Sequence, residues 1–342
     1  MTSAVAISRI SSGMVSTEIK GFTSEFGIAN PTPVNEKSSF DLASITKVFC
    51  TTALVMCALE EKLLQLDDPI SRYLPEWQVE DKNDLTIEDL LRHESGAEEW
   101  RPFYISCSSP EQVRQKIANL PLKYPKQKEF HYSDLNFITL GMLLRKLYNA
   151  DLNQIFATKI ATPLALENTG FSYPVDRNNV VATSIGDSIE KRMVESKQPY
   201  PVPEQTEDFA GWRDYLLSGE INDGNAFHIF KGESGHAGMF STLADMNKFV
   251  LGLLDGFLPI ERLQQFSQPR NNAMQGIGYR RFQLAQGEFA IGHFGFTGTG
   301  FAVDLQNKKG WIYLSNRIHT QVGYKTMNEI WCDEFKEFSF QG

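Results

Sequence analysis

The chain has 342 residues, 42% hydrophobic and 12% aromatic, enough apolar material for one large domain or two closely packed lobes. Its 42 acidic residues outnumber 33 Lys and Arg to give a net charge of −9; with no basic cluster, nucleic acid is excluded as a partner class. Four cysteines (Cys50, Cys57, Cys107, Cys332) and six histidines are scattered without metal-ligand spacing, so no disulfide framework, metal or cofactor is expected.

The start, Met1 to Ile10, lacks the basic and apolar regions of a secretion leader, and the longest apolar run, within residues 48–59, reads as too short to span a bilayer. The expectation is a cytoplasmic protein without a membrane span, or a periplasmic one if a leader has been trimmed. Oligomeric state stays open.

Residues 4–10 and 15–22 alternate around Ser11-Ser12-Gly13, which predicts a β-hairpin. A loop rich in Pro, Asn and Ser (30–39) leads to an almost fully apolar helix after Ser44. A helix apolar on all sides is a buried one. Thr86, with Asp89 three residues on, caps a short helix, and Pro110 opens another. Residues 134–148 form a strongly amphipathic helix. Residues 174–232 are polar, proline-bearing and irregular. Helix returns at 241–254. Strands are expected at 276–282, 288–294, 300–305 and 310–316, and a closing helix at 322–338.

This order predicts a mixed α/β chain with an additional all-α lobe. A central antiparallel sheet is built from both termini and flanked by helices, with an inserted helical region. The α/β lobe covers 1–66 and 235–342, and the helical, irregular lobe 67–234. A cleft between them is a natural active site.

Ser44 and Lys47 lie three residues apart on one helix face, which puts a hydroxyl beside an amine. The bland alternative is an N-cap serine with a lysine reaching out of the first turn. A lysine is disfavoured at the positive end of a helix, and its apolar surroundings offer little polar surface. Burial would lower its pKa and make it a base for the serine. Tyr132, just ahead of the helix at 134, presents a hydroxyl that could act as general base if Lys47 keeps it deprotonated; otherwise it packs under the helix. The glycine-rich run Gly292 to Gly300 at a strand end permits close approach of a ligand to backbone, and its N–H groups could join that of Ser44 in an oxyanion hole; the alternative is a plain hairpin turn. His236, between glycines, is given no chemical role.

Taken together, Phe40 to Lys47, Leu90 to Gly96, Tyr132-Ser133-Asp134, Gly235 to Thr242 and Gly292 to Thr299 resemble, in order and over nearly the whole chain, the serine β-lactamase and penicillin-binding-protein family. The resemblance is to its tyrosine variant: class C β-lactamases, D-alanyl-D-alanine peptidases and esterases, closest to amidase- and esterase-like members. It implies a β-lactamase/transpeptidase-like fold with Ser44 as acylated nucleophile. Lys47 would ease its deprotonation, Tyr132 would shuttle protons, and His293 would stand at the third motif. The oxyanion hole would be the N–H groups of Ser44 and Phe296, and Asp134, Phe294 and Gly295 would contact substrate.

Two positions depart from the family pattern. Asp134 replaces an asparagine and cannot donate an amide N–H. Phe294 replaces a threonine, which weakens the grip on a substrate carboxylate. The expectation is therefore a serine hydrolase of ester or amide substrates, including peptidoglycan-derived fragments, with weak or no β-lactamase activity. The substrate would be a small molecule or a cell-wall peptide. The alternatives are a catalytically impaired binding or sensor protein with the same fold, and an acyltransferase.

Overall fold

The computed structural model describes residues 3–171, 177–285, 287–320 and 323–338. Residues 174–176 of the expected irregular excursion and residue 322 of the expected closing helix lie outside the described residues.

The chain opens with the hairpin Ala4–Ser11 (β1) and Met14–Gly21 (β2), closed by Ser12 and Gly13, both at positive φ (+49° and +81°) as a two-residue turn of this hand requires. A short strand, Ser39–Asp41 (β3), then feeds a continuous helical stretch, Ala43–Glu60. This begins as a tight 3-10 turn at Ala43–Ile45, passes through a wide π turn at Lys47–Thr52, and ends as regular helix, Ala53–Glu60 (α1).

Helices Ile87–Leu91 (α2), Phe103–Ser106 (α3), Pro110–Asn119 (α4), Asp134–Tyr148 (α5) and Leu152–Phe156 (α6) follow. The Thr86–Asp89 capping box starts α2, and Ser109 with Pro110 starts α4. After the two-residue strand Gly170–Phe171 (β4), the irregular region contains two helices of its own, Ser188–Ser196 (α7) and Gly224–His228 (α8). Strand Met239–Thr242 (β5), helices Leu243–Leu254 (α9) and Ile260–Phe266 (α10), strands Arg280–Gln283 (β6), Phe289–Gly295 (β7), Thr299–Asp304 (β8) and Lys309–Ser315 (β9), and helix Met327–Glu334 (α11) complete the chain.

The main sheet has six antiparallel strands in the order β2-β1-β9-β8-β7-β6, so strands from both ends of the chain meet where β1 pairs with β9. Strand alternation explains why β1 is buried on both faces. Ala4, Ala6 and Ile10 face the large core with the Ala43–Glu60 helix and α9, while Val5 and Ile7 face a second cluster with Trp331 and Phe335 of α11. A second, small sheet (β3-β5-β4) holds the chain just ahead of Ser44.

Ala43–Glu60 is 18 residues long with a mean hydropathy of 1.4, so by length and composition it could cross a membrane, contrary to the expectation that no stretch is long enough. Its window is 78% buried inside the protein, and Phe49 packs against Phe249 of α9 and Phe156 of α6 at ring distances of 4.1 and 5.6 Å. It is a core helix; each such fully buried aromatic or aliphatic side chain contributes about 1.5–3 kcal/mol.

Two expected elements are shorter than their patterns. β6 begins only at Arg280, because Gly276–Gly278 spend their N–H groups elsewhere: Gly278 bonds the Leu91 carbonyl and Ile277 that of Phe266. The closing helix is confined to Met327–Glu334 by its cap, Thr326 with Glu329.

Candidate active site

Ser44 follows Ala43, whose φ of +45° is rare for any residue but glycine. The left-handed conformation costs about 1–2 kcal/mol. Asp41 holds it there. One carboxylate oxygen accepts the Ala43 N–H at 2.8 Å, the other accepts the Asn222 N–H at 2.8 Å, and the Asp41 carbonyl accepts from the Thr297 hydroxyl at 2.6 Å. Burial raises the Asp41 carboxyl to about 6, against the pull of those N–H donors.

Lys47 is fully buried, one turn below Ser44. Its ammonium donates to the Ser44 hydroxyl at 2.9 Å and to the His236 carbonyl at 3.1 Å, and pairs with Asp134 Oδ1 at 2.7 Å. Three donors meet three acceptors. The sequence led us to expect a lysine with a lowered pKa, and the structure reverses this. Burial does push it down, but the Asp134 carboxylate and the neighbouring Tyr132 outweigh burial and hold it above the ordinary lysine range.

Asp134 is the first residue of α5, so the helix N-terminus sets its carboxylate against Lys47. Tyr132, two residues earlier, interacts with both the Ser44 hydroxyl and the Lys47 ammonium. Burial, helped by Asp134, raises its phenol despite the pull of Lys47, so it rests protonated; the condition for a general-base phenolate at rest is not met. The ring lies between His93 (4.5 Å) and His293 (5.8 Å).

Both histidines rest neutral, because burial, with Lys47 close by, pushes each well below the usual range. His93 Nδ1 accepts the Ser133 N–H at 2.9 Å, which fixes the turn carrying Tyr132. His293 Nδ1 donates to the Phe294 carbonyl at 2.7 Å. His293 is thus at the centre but brings no positive charge to it.

β7 passes close to the segment before Ser44 at Gly295: a Cβ there would stand 2.4 Å from the Leu42 carbonyl oxygen and 2.1 Å from Thr299 Oγ1, so no side chain fits. The Thr297 and Thr299 hydroxyls bond the Asp41 and Leu42 carbonyls at 2.6 and 3.2 Å, tying the turn after Gly295 to the segment before Ser44. Phe296, on that turn, is 40% exposed; Arg317 donates twice to its carbonyl, at 3.0 and 2.5 Å. Phe294, expected to contact substrate, does not face the site. Strand alternation sends His293 and Phe294 to opposite faces. The Phe294 ring packs against Phe282 (4.9 Å) and Trp331 (5.1 Å) instead.

Behind Lys47, His236 bridges Ser234 (Nδ1 to Oγ, 2.8 Å) and Asp223 (Nε2 to Oδ1, 3.0 Å). His236 outweighs burial and holds the Asp223 carboxyl below its usual range. Donor atoms of Asp134, Asp223 and His236 lie within 4.8 Å of one another, the donor set of a metal site. The Lys47 ammonium already supplies positive charge against Asp134, so these residues read as a proton and charge network. Gly141 of α5 lets this loop approach: a Cβ there would meet the Gly235 nitrogen at 2.7 Å.

The sequence reading missed two contributors: His93 and Asp223. His93 carried one signal, its place in the Leu90-to-Gly96 block. Asp223 lay in a stretch without periodicity. The irregular stretch 174–232 reaches the centre through Asp223 and Tyr200. Tyr200 is close enough to Asp134, Tyr132 and Glu99 for their charges to act on its phenol, which burial raises to about 12.

Comparison with known proteins bears on the fold. The family model described as Beta-lactamase matches residues 22–330. A protein of Escherichia coli (strain K12) named "Putative D-alanyl-D-alanine carboxypeptidase" is 26% identical over 327 residues, covering 85% of this chain and 72% of its own; its namesake in Salmonella typhimurium is 25% identical over 338 residues, covering 88% and 74%. Among solved structures, EstCE1, a hydrolase with promiscuous acyltransferase activity, superposes with a TM-score of 0.70 at 22% identity over 92% of this chain and 89% of its own. An octameric penicillin-binding protein homologue from Pyrococcus abyssi gives 0.67 at 18% identity, over 93% and 70%. At these identities the two structures show the shared fold.

Proposed function

The chain belongs to the β-lactamase family, and we propose that within it the protein is a serine hydrolase that works through an acyl-enzyme on Ser44. The observation that carries the proposal is the contact of the Ser44 hydroxyl with Lys47 Nζ at 2.9 Å, with the Tyr132 hydroxyl interacting with both. A hydroxyl so placed has a proton path at the moment of attack.

The resting charges define that path. Lys47 starts as an ammonium. As Ser44 Oγ bonds to the substrate carbonyl carbon, the Ser44 proton passes to Lys47 while Lys47 gives one of its own to Asp134, 2.7 Å away. Tyr132 donates its phenolic proton to the leaving group as the acyl–heteroatom bond breaks. A water then enters, Tyr132 recovers a proton from it, and hydroxide character at that water releases the acyl group. Proton return from Asp134 through Lys47 restores Ser44. The N–H groups of Ser44 and Phe296 receive the oxyanion; such donors contribute about 10²–10³ each in rate.

Ester and amide substrates, peptidoglycan-derived fragments among them, suit this centre better than β-lactams. His293 is neutral and Phe294 is turned away, so the third motif brings neither a cation nor a hydroxyl to a β-lactam carboxylate. A non-catalytic binding role is the second reading, favoured by the fully satisfied Lys47 ammonium, which leaves no free base at rest.

A fluorophosphonate probe followed by intact mass tests the proposal. The expected outcome is one probe mass on the wild type, none on Ser44→Ala, and turnover of short p-nitrophenyl esters by the wild type alone. No adduct and no turnover would sink it; ligand binding that survives Ser44→Ala would then favour the binding role.

A further inference from the structure

Ile221, Asn222 and Asp223 lie in the irregular region just ahead of α8, far along the chain from Ser44 and Lys47, yet this segment reaches both. Asn222 donates its N–H to Asp41 at 2.8 Å, and the other Asp41 oxygen fixes Ala43, the residue before Ser44. Asp223 Oδ1 bonds His236 Nε2 at 3.0 Å, and the His236 carbonyl accepts from Lys47 at 3.1 Å. Two neighbouring residues thus hold the serine by one path and the lysine by another. The segment is itself anchored. Arg213 donates to the Ile221 carbonyl at 2.9 Å and to that of Asn222 at 3.2 Å while pairing with the buried Asp187. Glu190 accepts the Gly224 N–H at 2.9 Å, and Asp223 caps α8 by accepting the Ala226 N–H at 2.8 Å.

The imidazole of His236 carries that fixed position to Lys47. It is 1% exposed and held at both nitrogens, by Asp223 and by Ser234 Oγ at 2.8 Å. The preceding carbonyl, that of Gly235, accepts the Thr51 hydroxyl at 2.7 Å, one turn along the helix from Lys47. A ring held at both ends, on a backbone held on one side, sets the direction of the His236 carbonyl. Lys47 has three protons and three acceptors. Turning that carbonyl away leaves a buried N–H unpaired and lets the ammonium move off the Ser44 hydroxyl. Asp223 faces the Lys47 charge as well: against burial, His236 and, to a smaller extent, Lys47 hold its carboxyl below the usual range.

We infer that Asp223 and His236 are positioning residues that set Lys47 against Ser44, and that the 221–223 segment is the element by which the irregular region registers the serine and the lysine with one another. The inference rests on the hydrolase reading above and goes beyond it by assigning residues that act on the reaction through Lys47.

The test measures kcat and KM on a p-nitrophenyl ester, with Tm, for wild type, His236→Ala, Asp223→Ala, the double alanine variant and His236→Gln. Rates are expressed per site titrated to completion with the fluorophosphonate, so unfolded chain does not count. Each single alanine variant is expected to lose at least about tenfold in kcat with KM within about twofold of wild type. The double variant should lose no more than about twofold beyond the larger single loss, because both residues act through one chain of contacts. His236→Gln, whose amide can still donate to Asp223, should recover about threefold or more of the His236→Ala loss. A role confined to stability would lower Tm and leave kcat per titrated site unchanged; that result overturns the inference, as do additive losses or a loss carried by KM. If the alanine variants do not fold, Ser234→Ala, which removes one bond to the ring, decides: a kcat lower by about threefold at constant KM supports the inference, and an unchanged kcat overturns it. An active, labelled wild type with unaffected variants sinks the positioning role alone, whereas a wild type without label or turnover sinks the hydrolase reading and the positioning role with it.

Discussion

Lys47 Nζ and Asp134 Oδ1 stand 2.7 Å apart, and this pair sets the protonation state of the whole centre. Asp134 holds Lys47 charged, and its own charge adds to burial in leaving Tyr132 protonated against the pull of Lys47. The family's asparagine at this position would do neither, because an amide carries no charge.

Asp134→Asn should therefore move the acid limb of the pH–rate profile. Burial alone lowers a lysine pKa, and Asp134 is the group that overrides burial here. With the carboxylate gone, the relayed proton has no acceptor, and attack then needs Lys47 unprotonated. The expected result is an acid limb of kcat/KM on a p-nitrophenyl ester displaced upward by about one pH unit or more. A limb that stays in place would mean that Asp134 does not control Lys47.

Gly295→Ala should disable the enzyme far more than it unfolds it. The new methyl would stand 2.4 Å from the Leu42 carbonyl and 2.1 Å from Thr299 Oγ1, so β7 must withdraw from the segment before Ser44. Withdrawal separates the Phe296 and Ser44 N–H groups. We expect a fall in kcat of roughly 100-fold or more, with a stability loss of about 1–3 kcal/mol. Gly323→Ala, where a Cβ meets nothing within 4 Å, serves as the control. Wild-type rates in Gly295→Ala would refute the close approach as a requirement.

What was legible in the sequence was whatever had a local cause. Helix α5 follows its amphipathic pattern from Asp134 to Tyr148, and α2 follows its Thr86–Asp89 box. The four C-terminal strands read from alternation and glycine punctuation. The Ser44, Lys47 and Tyr132 cluster could be read because it is carried by motifs. The protonation states could not, since they come from residues far apart in the chain: Asp134 on α5 and Lys47 on the Ala43–Glu60 helix. The strained Ala43 was hidden as well, because its cause is Asp41 bound to Asn222, 181 positions away. Phe294 was misplaced because the motif fixes its position in the chain, while strand alternation fixes the face it occupies.

Ala43 offers a test of stored backbone strain. Ala43→Gly removes a cost of about 1–2 kcal/mol in the folded state but adds about 0.5–1 kcal/mol of chain entropy to be lost on folding. Stability by urea unfolding should thus rise by no more than about 1.5 kcal/mol. Ala43→Val, with a branched Cβ at φ +45°, should lose about 2 kcal/mol or more. Equal, small effects of both substitutions would show that the residue relaxes to negative φ in solution.

Glu190 should make the protein less stable as the medium becomes alkaline. It accepts from the Tyr104 hydroxyl at 2.7 Å and from the Gly224 N–H at 2.9 Å, and burial, with Asp223 and Asp187 nearby, raises its carboxyl from 4.5 to about 8. Because the folded value lies above the unfolded one, the folded state binds the extra proton. The stability this contributes is complete below about pH 4.5 and is lost as pH rises through about 8. Glu190→Gln mimics the protonated acid at every pH: its carbonyl can accept the Gly224 N–H and its amide can donate to the Tyr104 oxygen. The Tm of wild type and variant should therefore agree near pH 5 and diverge upward, with the variant higher by roughly 2–5 °C at pH 9. Parallel Tm curves between pH 5 and 9 would mean that Glu190 ionises in the folded protein as it does in the unfolded chain, and that the Tyr104 and Gly224 contacts hold a carboxylate and not an acid.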